Sequence, residues 1–189
     1  DQANSLAVDG LGRAYVTGFS SCTGGGNCSF PTVVGPNLTR AASADASRPS
    51  MDGFIARVKA DGSSLDYAGF IGGDGYFDVG HAIAVDASGS AYVAGATDSV
   101  TGLPAAPGFR SIPSGDASDG FVARISASGA AVDRFTLLTG TLSGNQSGAD
   151  RALAIALDTD GTVIVAGETD SSDFPLNSTG SRDGGPGLQ

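Results

Sequence analysis

Three kinds of side chain in this sequence could carry chemistry: one histidine, His81, two cysteines, Cys22 and Cys28, and twenty acidic residues. A lone imidazole needs a partnering carboxylate or nucleophile to work as an acid-base pair. The sequence offers His81 none, and its counterparts in two other copies of the surrounding stretch are Asn4 and Leu153. There is no HEXXH, no GXSXG, no phosphate-cradling loop and no Cys and His pair with catalytic spacing. No catalytic residue is assigned, and the chain is not expected to be an enzyme.

The acidic residues matter because they recur. Asp158 and Asp160 ahead of Gly161, in DTDGT, resemble part of a calcium loop, and Asp74 and Asp78 in GGDGYFD are a second candidate pair. Calcium wants several oxygen ligands around a tight glycine turn, and here neither a third acid in register nor a closing Glu follows. Turn capping explains the same residues, so no cofactor is expected and calcium stands as the one candidate. Cys22 and Cys28 bracket a glycine-rich insertion with five residues between them. A disulfide there would contribute on the order of 2 kcal/mol and points to an oxidising compartment. A metal or redox pair is the alternative, without a His or third Cys to complete it. Four N-glycosylation sequons, at Asn27, Asn37, Asn145 and Asn177, all fall in stretches read as loops.

The elements that would position these groups come from a repeat. Residues 1–18, 78–95 and 150–167 align without a gap, at offsets of 77 and 72. In each, an apolar run meets an Asp, then a Gly three residues on, then a second apolar run. Asp9 and Gly12, Asp86 and Gly89, and Asp158 and Gly161 therefore predict type I turns, with the Asp accepting backbone hydrogen bonds. Each copy predicts a β-hairpin. The second runs, 91–94 and 163–166, are apolar at every position, which predicts strands covered on both faces. A second block, 52–73 against 119–140 at an offset of 67, reads as two further strands around a turn. One repeat is thus four antiparallel strands, and units of this kind stacked around an axis make a β-propeller.

Bulk properties narrow the function classes. Thirty Gly and eight Pro fit a turn-dense all-β chain. A formal charge of −10, with ten basic residues scattered singly, argues against nucleic acid. No apolar run approaches the roughly 20 residues that span a bilayer. A glycan-binding module would favour aromatic platforms, and the absence of Trp with only four Tyr weakens that reading.

The sequence AVDASGSAYVAGATDS, followed by a DGFVARIS block and, in the first copy, by a strand ending in GGDG, resembles the SBBP repeat, a family named for a seven-bladed β-propeller. The resemblance runs from Asp1 to about Asn177. It implies one propeller blade per repeat, in secreted or cell-surface bacterial proteins, and it brings no catalytic motif. The expected organisation is a first blade over 1–76, a second over 77–149 and a partial third with a tail over 150–189, about two and a half blades. A closed ring needs at least about four. The chain is therefore expected to be part of a longer protein, or else to stack head to tail with copies of itself. The expected function is a non-catalytic secreted or surface structural or interaction protein, a self-assembling fibre or layer component being its specific form. Its partners would be proteins, copies of itself included, with a glycan as the further candidate. The competing class is a fragment of a propeller lyase or glycan hydrolase, or a carbohydrate-binding protein.

Overall fold

A computed structural model describes residues 1–22, 29–41, 50–108, 117–140, 148–171 and 174. Ten strands form: β1 (Gln2–Val8), β2 (Ala14–Cys22), β3 (Ser50–Val58), β4 (Leu65–Ile71), β5 (Asp78–Val85), β6 (Ala91–Thr97), β7 (Asp119–Ile125), β8 (Val132–Leu138), β9 (Asp150–Leu157) and β10 (Val163–Thr169). The described residues contain no helix. Neighbouring strands within each sheet pair antiparallel, in two four-stranded sheets ordered β1-β2-β3-β4 and β5-β6-β7-β8, and a two-stranded sheet of β9 and β10.

The predicted turns explain the hairpins. The Gly12 amide donates to Asp9 O at 3.0 Å, Gly89 to Asp86 O at 3.0 Å and Gly161 to Asp158 O at 3.0 Å. Each glycine has positive φ, 78°, 84° and 87° respectively, the left-handed conformation that follows a type I turn in a short hairpin. The carboxylate does its share: Asp9 Oδ1 accepts from Leu11 N and Arg13 N, and Asp86 Oδ1 from Ser88 N and Ser90 N. The third copy divides the task, because Asp160 supplies a second carboxylate. Asp158 Oδ1 takes Thr159 N at 2.6 Å and Asp160 Oδ1 takes Thr162 N at 2.8 Å.

A bulge recurs in the first strand of each hairpin. Its unpaired residue is Asn4, His81 and Leu153 in turn, which is why this position changes type without disturbing the repeat. Gly18, Gly95 and Gly167 sit across from it. A Cβ on Gly95 would lie 2.1 Å from the carbonyl oxygen of Val79.

The first two sheets share one core, built from Tyr15, Ile55, Tyr67 and Ile71 on one side and Ile83, Val93, Phe121 and Ile125 on the other. Strand β6 is buried along its whole length, so residues 91–94 are covered on both faces. Strand β10 is not. Ile164 is 52% exposed, and Ala154, Ala156 and Ala166 on the same face are exposed too. The two-sided cover expected for 163–166 fails because no described residue stacks on that face of the third sheet. The outward face of the first sheet is divided. Phe30 closes over Phe54 and Phe70, with ring centroids 4.7 and 5.2 Å away, but Leu6 and Val8 are left 67% and 57% exposed.

Two of the outermost strands, β4 and β8, carry backbone partners from the connecting loops. Residues 33–37, from the connection between β2 and β3, run along β4: Val33 N donates to Ala68 O, Ala68 N to Val34 O and Phe70 N to Asn37 O, at 2.8–3.0 Å. In the second sheet Phe135 N of β8 donates to Pro107 O at 3.1 Å.

Candidate functional site

The recurring acids converge on the junctions between sheets. Asp78, the first residue of β5, is fully buried. Its carboxylate accepts from Thr97 Oγ1 at 2.5 Å, from Ser99 Oγ at 3.0 Å and from Gly73 N at 3.1 Å. Gly73 belongs to the loop that leaves the first sheet, so this one side chain ties the end of that sheet to the start of the second. Asp150 repeats the arrangement one sheet later, accepting from Gly140 N at 3.0 Å and Ser171 Oγ at 2.9 Å. Their counterpart in the first copy, Asp1, is exposed.

Removal from water pushes Asp78 up to about 6, the nearby charge of Asp52 adding to the effect and the three hydrogen bonds opposing it. Burial moves Asp52 upward as well, against the pull of Arg40. Between about pH 4 and 6 the folded chain therefore holds a proton on Asp78 that the unfolded chain has released. The stabilisation from neutral Asp78 is complete below 3.8 and is lost as pH rises through about 6. A two-unit shift is worth on the order of 3 kcal/mol. Asp9 has the opposite sense: burial pushes it up, but Arg13 and Tyr15 hold it down at about 2, so its contribution is lost as pH falls below the ordinary carboxylate value. The melting temperature is expected to peak near pH 4–5. Asp78→Asn should flatten the decline between pH 4 and 6, measured by thermal unfolding followed by circular dichroism. An unchanged profile in that variant would remove Asp78 as its cause.

At the opposite end of the same junction the sequence concealed a second cluster. Arg57 lies over the rings of Tyr67 and Tyr15, 4.7 and 5.7 Å from their centroids. It pairs with Asp66 at 2.9 Å and donates to Ala127 O of the second sheet at 2.7 Å. Tyr15 OH donates to Asp9 Oδ2 at 3.0 Å and contacts Gly89 O, also of the second sheet, at 3.3 Å. Burial raises the Tyr15 phenol while Asp9 sits far below it, so the two do not exchange a proton near neutrality. The cluster is mechanical. In the second sheet Arg124 stands 5.7 Å from the Tyr92 ring and pairs with Asp133 at 3.3 Å, but Arg134 replaces Tyr67 and the Arg124 Nε is buried without a partner among the described residues. The signal for this cluster was the recurrence of Tyr15 with Tyr92 and Arg57 with Arg124, which binary patterning reads as strand interior.

The remaining candidates separate. His81 is half-buried, its Nε2 lacks a hydrogen-bond partner among the described residues, and burial followed by the charge of Arg151 lowers its pKa, which keeps the ring neutral near pH 7. The calcium candidates do not come together. Asp158 and Asp160 are exposed and engaged in their own turn, and Asp74 accepts from Thr101 N and Oγ1 while Asp78 faces inward. Among the described residues no three His, Cys, Asp or Glu side chains form a group that could hold a metal. Asn37 is exposed, whereas Asn27, Cys28, Asn145 and Asn177 lie outside the described residues, and with them the Cys22–Cys28 pairing.

A cleft of about 270 Å³ opens between the first two sheets, lined by Pro36, Asn37, Phe70, Gly72, Gly102 and Pro104 among others. None of the described residues lining it is titratable. It can hold a group but offers no acid, base or nucleophile. No family model matches the sequence, and no curated protein matches it either.

Proposed function

We propose that this chain is a non-catalytic structural and interaction protein of the secreted or cell-surface kind, built from β-propeller blades of the type that the SBBP resemblance implies. One observation carries the reading: the polar residues that recur through the repeat are consumed in holding hairpins and joining sheets. Asp9 and Asp86 cap turns, Asp78 and Asp150 clamp junctions, and Arg57 bridges two sheets. A side chain fixed by two or three hydrogen bonds inside a junction is not available to a substrate. What varies between copies lies in the connecting loops, such as 32–41 and 98–108, where a binding surface can change without altering the strands. Stacked sheets of this geometry fit a blade array, and the charge of −10 fits a protein that meets other proteins or glycans rather than nucleic acid.

The test has two parts. Limited protease treatment of intact producing cells should release peptides of this chain if it sits outside. The purified chain, incubated with a panel of acidic and neutral polysaccharides, should leave them uncleaved. New reducing ends or unsaturated products formed by the pure chain would overturn the non-catalytic reading, and full protection in intact cells would overturn the location.

A further inference from the structure

We infer that the outward face of the first sheet and the outward face of the third bind each other between molecules, so that a second copy of this chain docks head to tail. This rests on the blade-array reading and names its partner. The argument is the chain's own internal junction. Ile83, Val85, Ala91 and Val93 form the face of the second sheet that packs into the shared core with the first. Their counterparts in the first copy are Leu6, Val8, Ala14 and Val16, and of these Leu6 and Val8 are 67% and 57% exposed. The complementary face is equally unused. Ala7, Tyr15 and Thr17 turn toward the second sheet, where Tyr15 reaches Gly89 O and Thr17 approaches Gly80 closely. Their counterparts in the third copy, Ala156, Ile164 and Ala166, are exposed, with Ile164 at 52%.

The described residues thus leave one half of a junction uncovered on the first sheet and the other half uncovered on the third. Within the chain these same repeat positions already meet across a junction. The exposed side chains at these positions are apolar on both faces, with the Arg151–Glu168 ion pair at the end of the third sheet's face. A contact of this kind is heterologous: it uses two different surfaces and leaves one of each free on the resulting dimer. Growth therefore continues until a ring closes or a filament extends.

Analytical ultracentrifugation of the whole chain over a concentration series tests this. The wild type is expected to gain mass with concentration. Leu6→Glu and Ile164→Glu, each blocking one end, should each lose that gain, yet the two mixed in equal amounts should reach twice the monomer mass and stop there. Circular dichroism melts matching the wild type would show that both variants fold, and Val8→Glu serves in place of Leu6→Glu should that one unfold. A wild type that stays monomeric at every concentration overturns the inference. So does a single variant that still dimerises, since that requires a face pairing with itself or a different surface. The same samples applied to the polysaccharide panel separate the two claims: cleavage by the monomeric variants defeats the non-catalytic reading alone, and a monomeric, inactive wild type defeats the docking alone.

Discussion

Tyr67→Ala is expected to lower the unfolding free energy by about 4 kcal/mol, while Tyr67→Phe leaves it unchanged or raises it. Tyr67 is fully buried, and Gly129 of the second sheet is pressed against its ring, so closely that a Cβ there would fall 2.2 Å from ring carbons. Truncation would open a cavity between two sheets rather than inside one. It would also remove the platform 4.7 Å beneath Arg57, whose guanidinium carries the bond to Ala127. The hydroxyl, by contrast, has no hydrogen-bond partner among the described residues, and a buried phenol without one is a cost to the folded state. Urea unfolding of both variants checks the pair. A Phe variant as damaged as the Ala variant would mean that the hydroxyl, not the ring, holds the junction.

Gly95→Ala is expected to cost about 3 kcal/mol, and Gly95→Val more. The added Cβ would meet the Val79 carbonyl at 2.1 Å and the Phe121 ring at 2.6 Å. Neither is the loose end of a side chain: one is the backbone of the adjoining strand and the other is a core aromatic stacked on Phe135 at 5.6 Å. The strand pair would have to separate beside its own bulge. Gly10 provides the control, because a Cβ there meets nothing within 4 Å, and Gly10→Ala should stay within about 0.5 kcal/mol of wild type. Equal losses at the two positions would show that the close approach at Gly95 does not set the cost, since the lower chain entropy of alanine favours the folded state at both.

These two sites mark what could and could not be read from residue order. The turns at Asp9, Asp86 and Asp158 were legible because an Asp and a Gly three residues later act on their own backbone. The two strands expected within each of the blocks 52–73 and 119–140 followed from apolar runs bounded by turns. Burial of β10 was misjudged because an apolar strand states a preference for cover, and whether cover arrives depends on residues far away in the chain. Asp78 was weighed as a calcium candidate with Asp74, yet its partners Gly73, Thr97 and Ser99 make it a hydrogen-bonded clamp between sheets. The recurrence of the Thr-Asp-Ser triplet at 97–99 and 169–171 carried that information, but only together with the fold that returns its hydroxyls to the Asp. The cluster of Tyr15, Arg57 and Tyr67 is of the same kind, since its members lie on three strands.

The backbone groups of β4 that would face solvent are occupied by residues 33–37. An exposed strand edge is indiscriminate, because peptide hydrogen bonds are the same for every sequence and any extended chain can pair there. A sheet face is different, since it accepts only a surface whose side chains fit its own. By spending a loop on the edge of β4 while the described residues leave Leu6, Val8 and Ile164 uncovered, the fold closes the promiscuous route at that edge and keeps the selective one on the faces.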